Sequence, residues 1–335
     1  MESIAHRNQD ERQNLIKEWI QQLGLESMLW QPMANDASFR RYFRIHTKEQ
    51  SYVAMDATPP HENAQAFFAI SQQLRKLGLN TPEIFASDFD RGFLLLSDFG
   101  DYTYLKTLNA DNADHLYSLA LSSLALLQTC RSVPEKEISE FSSEWMWKEW
   151  AWFQEWVLDR LLQLPFCSDL DESYSIVVSS AVNQPQVFMH RDYHSGNLML
   201  LANGEIGLLD FQDAFIGPIT YDLVSLLRDC YIDWPNDRVM KWVKIYWQHL
   251  QNQSIHISYD DFLRYFDMMG VQRHLKALMT FARKSIRDNQ SHYLKFMPRT
   301  LNYLLQVSAR YPELVSLYRY LNQSVSEKVT LLCVQ

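Results

Sequence analysis

His190-Arg191-Asp192-Tyr193-His194-Ser195-Gly196-Asn197, with Leu208-Leu209-Asp210-Phe211-Gln212 following it, is the stretch that decides the fold of this chain. Four residues separate Asp192 from Asn197, and Asp210 stands thirteen residues beyond Asn197, at the end of an apolar run. Residues 186–189 read as a short apolar strand leading into the first stretch. Residues 198–201 and 205–209 are apolar runs around Asn203-Gly204, a pair that accepts the positive φ angles of a tight hairpin turn. Such a turn folds Asp210 back toward Asp192 and Asn197, so three polar side chains meet in one pocket. Their types suit phosphoryl transfer, where charge spreads over the oxygens of the group in flight and catalysis is largely positioning and neutralisation. Asn197 and Asp210 offer hard oxygen ligands for Mg²⁺. Asp192 would take or orient the proton of an acceptor hydroxyl. The competing reading is a polar turn in which His190 and Asp192 only make structural hydrogen bonds. An ordered set of three, each beside its expected strand, argues against it.

The spacing H-R-D-x-x-x-x-N is that of a kinase catalytic loop. Beyond the hairpin, Asp210 is followed by Pro218 and by Asp222 at the head of an apolar helix. Here the chain resembles the aminoglycoside phosphotransferase-like (choline kinase-like) family. Within that family it is similar to the bacterial anomeric kinases of N-acetylmuramate and N-acetylglucosamine. Further matching text is Asp36-Ala-Ser-Phe-Arg-Arg-Tyr-Phe-Arg44, Val53-Ala-Met-Asp-Ala57, Gly92-Phe-Leu-Leu-Leu-Ser-Asp98 and Tyr221-Asp-Leu-Val-Ser-Leu-Leu-Arg-Asp229, and the likeness runs from about residue 10 to 290. The resemblance implies a two-lobed, protein-kinase-like α+β fold, with a small antiparallel-sheet lobe over residues 1–100 and a mostly helical lobe over 101–335. It implies ATP and Mg²⁺ as cofactors, Asp192 as the catalytic residue, Asn197 and Asp210 as metal ligands, and a sugar 1-phosphate as product. Cell-wall recycling in the bacterial cytoplasm is the role that goes with it. Two rivals stay open at this point: a kinase of the same family acting on choline or an aminoglycoside, and a pseudokinase that binds nucleotide without turnover.

Composition agrees with a soluble enzyme. A chain of 335 residues can bury a large core. Its formal charge of -9 argues against a nucleic-acid surface. Cys130, Cys167, Cys230 and Cys333 stand in unrelated contexts without a C-x-x-C pair, so neither disulfides nor a zinc site is expected. The N-terminus is charged and lacks the apolar core of a signal peptide. The most apolar helical pattern, residues 116–130, falls short of the ~20 residues that span a bilayer. The expectation is a cytoplasmic monomer whose partners are a sugar and a nucleotide, with no membrane and no nucleic acid.

Coarse periodicity places the elements. Residues 10–23 form an amphipathic pattern stopped by Gly24. Strands are expected over 39–46 and 51–57, a helix over 61–77, and paired strands over 83–88 and 92–97. From about residue 103 the pattern is helical, apart from the catalytic hairpin.

The small lobe departs from the protein-kinase pattern. Met33 to Ser38 replaces a Gly-rich loop and contains no glycine, although Ser38 could offer a hydroxyl to phosphate. Aligning Val53-Ala54-Met55-Asp56 on V-A-I-K assigns Ala54 to the nucleotide and puts a carboxylate, Asp56, where the phosphate-binding Lys belongs. Another cation must then compensate, and Arg40, Arg41 and Arg44 are the candidates, since Arg binds phosphate in a bidentate manner. Asp98-Phe99-Gly100 spells the D-F-G of a metal-binding segment but precedes the catalytic loop. It is expected instead at the crossing between lobes, with Asp98 and Phe99 beside the adenine.

Acceptor contacts must come from the helical lobe. Tyr193, His194, Gln212, Asp213, Arg228 and Asp229 are the polar candidates near the catalytic loop. Arg228 could pair with the lactyl carboxylate of N-acetylmuramate, or form an internal salt bridge to Asp229 or Asp213. His190 and Asp222 are expected to be structural, with Asp222 capping its helix and bracing the loop. Five tryptophans, Trp145, Trp147, Trp150, Trp152 and Trp156, fall in residues 144–164. Such a cluster can stack on a sugar, cage a choline by cation–π attraction, or pack between helices, and its spread around the helix favours packing.

Overall fold

Two-residue alternation builds the N-terminal sheet. The computed structural model describes residues 2–33, 40–60, 62–134 and 136–332, with side chains of the first helix described from residue 11. Helix α1 (Glu2–Gln22) precedes strands β1 (Leu29–Pro32), β2 (Arg40–His46) and β3 (Ser51–Ala57), then helix α2 (Ala64–Lys76) and strands β4 (Ile84–Asp88) and β5 (Phe93–Ser97). The described strands here form one antiparallel sheet in the order β1-β2-β3-β5-β4. Strand β1 has no counterpart in the sequence reading, and α2 begins at the N-cap Asn63, whose side chain accepts from Ala66 N at 2.9 Å.

Both faces of this sheet are buried, which explains why Phe93 to Leu96 reads as a continuous apolar run. Val53, Met55, Ala57, Leu94 and Leu96 face α2 residues Phe67, Ile70 and Leu74 and join the main core. Phe43, Ile45, Ala54, Phe93 and Leu95 face the other way, onto Ile16, Trp19 and Ile20 of α1. Full burial of side chains like Ile16 and Ile20 contributes about 1.5–3 kcal/mol each, enough to hold α1 against the sheet. Gly92, at φ +76°, makes the β4–β5 turn, and a Cβ there would stand 2.1 Å from the Ala57 carbonyl oxygen, so this crossing admits only glycine.

The chain then becomes helical. In order come α3 (Tyr104–Thr107), α4 (Ala113–Leu127), α5 (Ser143–Phe153), which continues as a π-helical stretch (Gln154–Leu161), and α6 (Asp169–Val182). Strands β6 (Gln186–Met189), β7 (Leu198–Leu200), β8 (Ile206–Leu208) and β9 (Phe215–Pro218) follow, then α7 (Tyr221–Leu227), α8 (Asn236–Asn252), α9 (Tyr259–Arg287) and α10 (Met297–Ser308). Strands β7 and β8 form the expected hairpin around Asn203-Gly204, while β6 pairs with β9, a strand that had no periodic signal. At 29 residues α9 is the longest helix described, and it packs against α5, α6, α7 and α10 as the central column of this region.

The tryptophan cluster is mostly packing. Trp150 is buried and stacks on Tyr174 at 4.6 Å and on Phe153 at 5.4 Å, while its Nε1 donates to Asp171 at 2.6 Å. Cys130, Cys167 and Cys230 are free thiols, and Cys333 lies outside the described residues. Among the described residues, no helix is long and apolar enough to cross a membrane.

Candidate active site

Strand β6 delivers the chain to a loop pinned at both ends by buried carboxylates. Asp222, on the first turn of α7, accepts from His190 N at 2.6 Å and from Arg191 N at 2.9 Å. Arg191 holds φ +77°, a left-handed conformation costly for a side-chain-bearing residue, and the Asp222 bracket keeps it there. The N-cap of α7 is Thr220, so Asp222 braces the loop without capping the helix. Burial pushes the Asp222 carboxyl up to about 7, against the two backbone donors. At the other end, Asp229 accepts from Ser195 N at 2.9 Å, Ser195 Oγ at 2.5 Å and Tyr231 N at 2.8 Å. His190 is fully buried, and burial lowers it to about 4, so it is neutral. Tyr193 is buried too, its hydroxyl donating to Ala120 O at 2.8 Å, so it anchors the loop to α4 and does not reach an acceptor.

Three groups converge on the cleft side of this loop. Asn197 Nδ2 donates to the Asp192 carbonyl at 3.0 Å, a bond that does not use its acceptor oxygen Oδ1. Leu209 N donates to Asn197 O at 3.0 Å, so the end of β8 is stitched to the loop and carries Asp210, at φ +61°, beside Asn197. The Asp210 side chain is 49 % exposed to the cleft, where partial desolvation, then the nearby Asp192 carboxylate, raises its carboxyl above its ordinary value. Asp192 goes the other way. Burial alone would raise it, but Lys276 Nζ at 3.3 Å and Arg273 Nη2 at 3.7 Å hold it well below the usual carboxylate range. Gln212 Nε2 donates to Asp210 at 2.7 Å and to Asp213 at 3.2 Å, so Gln212 and Asp213 lie on the Asp210 side of the cleft. A carboxylate held among other carboxylates, with an amide oxygen beside it, fits a divalent cation completed by phosphate oxygens and water. Among the described residues no group of three His, Cys, Asp or Glu side chains gathers as a closed metal site.

The sheet sorts the three arginines by face. Asp56 does not face the cleft: it is 0 % exposed on the α1 side, paired with Arg12 and, at 2.5 Å, with its cross-strand neighbour Arg41. Ala54 shares that outer face. The repulsion expected between Asp56 and a triphosphate therefore does not arise. Arg44 braces the crossing after β5, at 2.7 Å from Asp98 and 2.8 Å from Asp101, and Asp98 also accepts from Gly100 N at 2.9 Å. Phe99 lies on the β7–β8 hairpin, where a Cβ on Gly207 would come within 2.7 Å of its ring. Arg40 is the one of the three that reaches the Asp210 side of the cleft: it pairs with Glu62 at 2.5 Å and stands 4.0 Å from both Asp210 and Asp213. Ser38 lies outside the described residues.

Beside Asp192 opens a cavity of about 330 Å³. Asp192, His194, Asn197, Asp210, Arg228 and Asp229 line one side. Helix α9 lines the other, with Arg273, Lys276, Thr280, Arg283 and Lys284. His194 faces the cavity with its Nδ1 accepting from Gly196 N at 3.2 Å, and burial lowers its basicity. None of the five tryptophans of residues 144–164 lines the cavity; its aromatic walls are Tyr231 and Phe281. Arg228 touches it only with its edge: the guanidinium donates to Asp267 at 2.6 Å and lies 4.4 Å over the Phe266 ring. Its partner is thus Asp267, and neither Asp213 nor Asp229.

The α9 side chains were missed by sequence reasoning. Their signal was present: basic residues at positions 273, 276, 283 and 284 follow helical spacing beside the apolar stripe of Met268, Val271, Leu275, Leu278 and Ala282.

The chain matches the model of the phosphotransferase enzyme family over residues 30–262. It is 42% identical over 290 residues to an N-acetylmuramate/N-acetylglucosamine kinase of Pseudomonas putida, covering 85% of each chain. A protein of the same description from Neisseria meningitidis is 37% identical, over 95% of this chain and 97% of that one. Among solved structures, choline kinase LicA from Streptococcus pneumoniae superposes with a TM-score of 0.63 at 14% identity, covering 89% of this chain and 99% of that chain. A kinase-like fold is the common element, and the catalytic loop, hairpin and braced Asp222 described above sit within the matched span. The chain therefore belongs to the phosphotransferase enzyme family.

Proposed function

We propose that this phosphotransferase moves the γ-phosphoryl group of ATP to the anomeric hydroxyl of an N-acetyl amino sugar, N-acetylmuramate or N-acetylglucosamine, giving the sugar 1-phosphate. The relatives at 37–42% identity are described as N-acetylmuramate/N-acetylglucosamine kinases, and the observation that carries the reading in this chain is the charge of its acceptor cavity. Among the described residues, six basic side chains line it (Arg191, Arg228, Arg273, Lys276, Arg283 and Lys284) against three acidic ones (Asp192, Asp210 and Asp229). A choline or a polycationic aminoglycoside would meet repulsion there, whereas an anionic or neutral sugar would not. The reading places the enzyme in the cytoplasm, the compartment that holds ATP.

In this reading Asp192 binds the acceptor hydroxyl as hydrogen-bond acceptor and receives its proton as the new oxygen–phosphorus bond forms and the bond to the leaving ADP oxygen breaks. Lys276 and Arg273 fix the carboxylate in place and lower its basicity. An anomeric hydroxyl suits so weak a base, because the ring oxygen withdraws electrons and makes it more acidic than an ordinary alcohol. Asp210 and Asn197 would hold Mg²⁺, which when bound neutralises charge on the phosphate oxygens. Arg40 contacts the phosphates from the sheet side. A panel of amino sugars, choline and aminoglycosides assayed for ATP consumption tests the whole reading, and turnover confined to the amines would overturn it.

Two substitutions test the nucleotide side. Asp210→Ala should weaken ATP binding in Mg²⁺ by at least about tenfold, or ~1.4 kcal/mol. Calorimetry with and without Mg²⁺ reads this directly, and a variant that kept the Mg²⁺ enhancement would lose Asp210 its metal role. Arg40→Ala should raise the KM for ATP about tenfold or more, from a charge-assisted contact worth about 1.5–3 kcal/mol. Arg41→Ala should leave that KM alone and lower thermal stability instead, because Arg41 faces α1. Equal KM effects from the two would remove the distinction between the faces.

A further inference from the structure

The cavity continues past the catalytic groups along α9. Lys276 and Thr280 lie one turn apart on its lining, and Arg283 follows about two turns from Lys276, roughly 10 Å of helix rise. Most cations around the cavity have partners. Lys276 and Arg273 hold Asp192, and Arg228 holds Asp267. Arg191 lies 4.4 Å over the Phe215 ring and 3.9 Å from Glu149, and Lys284 donates to the Tyr293 hydroxyl at 2.8 Å. Arg283 differs in having no carboxylate partner within ion-pair distance among the described residues; its Nε, like Arg191 Nε and Arg228 Nη1, is buried without a hydrogen-bond partner. Arg283 is half-buried, and an anion from outside the chain would give its buried Nε a partner.

We propose that Arg283, with Thr280 beside it, forms a subsite for a carboxylate carried by the sugar, so that an acidic ether substituent is read two helical turns from the reacting hydroxyl. The proposal rests on the sugar-kinase reading and deepens it, since it assigns preference for the acidic amino sugar to α9. Burial, and then the neighbouring Arg287, lowers the Arg283 guanidinium from its ordinary value, against the opposing pull of the Asp288 and Glu149 carboxylates. Arg283 shares the cavity lining with Lys276, the partner of Asp192, and stands roughly 10 Å further along the helix. The Thr280 hydroxyl donates its proton to Lys276 O at 2.9 Å, so Thr280 shapes the lining and Arg283 supplies the donors for the carboxylate.

The test compares kcat/KM for N-acetylmuramate, its lactyl methyl ester and N-acetylglucosamine in the wild-type chain, Arg283→Ala and Arg283→Lys. The ratio of N-acetylmuramate to N-acetylglucosamine should fall about ten- to a hundredfold in Arg283→Ala, mainly through KM, the factor expected for losing a charge-assisted hydrogen bond. Arg283→Lys should recover part of it. An unchanged ratio would overturn the subsite. Should Arg283→Ala fail to fold, the ester decides on the wild-type enzyme alone: a large loss on esterification supports a carboxylate site, and equal turnover of acid and ester overturns it. Failure of the underlying reading looks different, because the wild-type chain would then phosphorylate none of the three sugars. Turnover of N-acetylglucosamine without N-acetylmuramate would leave the kinase reading standing and remove the subsite.

Discussion

Asp192→Asn should lower kcat by about 10²–10⁴-fold while leaving nucleotide affinity close to that of the wild type. The amide keeps the shape and the hydrogen-bonding reach of the carboxylate but neither accepts the proton nor carries the charge. Asn197 and Asp210 are untouched, so ATP binding in Mg²⁺ should persist, and calorimetry beside a coupled turnover assay separates the two effects. Unchanged kcat would remove Asp192 from the reaction. A pH profile adds a second check. Because Lys276 and Arg273 hold Asp192 below the usual carboxylate range, its base form persists down through mildly acidic pH and should contribute no limb there. Lys276→Met removes the nearer cation at 3.3 Å, so the Asp192 carboxyl should rise and an acidic limb should move up into the measurable range. An acidic limb that stayed where it was would mean that Lys276 does not tune this group.

Arg228→Ala should destabilise the chain by about 3–5 kcal/mol, because it removes one partner of a buried ion pair and strands the other. Arg228 and Asp267 are 4 % and 2 % exposed, and their guanidinium–carboxylate distance is 2.6 Å. Arg310 at 3.4 Å and the Tyr311 hydroxyl at 2.9 Å also reach Asp267, which places the loss toward the lower end of that range. In a chain of this size the melting temperature should fall on the order of 10 °C. Turnover of both amino sugars should decline together, since the pair ties the end of α7 to α9 and so sets the width of the cavity. A selective loss of N-acetylmuramate turnover at unchanged melting temperature would return Arg228 to acceptor recognition. The contrast with Arg283→Ala, where the ratio of the two sugars should move, makes the assignments separable in one set of assays.

Much of the catalytic half was readable along the chain because its determinants are local. The Asn203-Gly204 turn and the flanking apolar runs specify the hairpin, and the hairpin brings Asp210 back to Asn197 within thirteen residues. Neighbouring residues alone make that geometry, so no distant partner had to be guessed. Strands β3 and β5 were legible for the same reason, as short β-branched and aliphatic runs between turn residues. Strand β9 was not: Phe215–Pro218 carries no alternation and becomes a strand because β6 lies beside it.

The sequence by itself determined which groups could do chemistry, through the spacing of Asp192, Asn197 and Asp210 and the turn between them. The tertiary structure alone decided which charges face that chemistry. Alternation along β2 separates Arg41 from Arg40 and Arg44, but only the packing of α1 on one face makes that face the outside and turns Asp56 away from the cleft. Lys276 meets Asp192 across 84 residues and Arg228 meets Asp267 across 39, distances over which side-chain spacing carries no information. The rotation of α9 against α7 and the catalytic loop settles both pairings. A helix's azimuth is fixed by how its whole apolar face packs, a sum over many weak contacts, and no one charged residue in the chain records it.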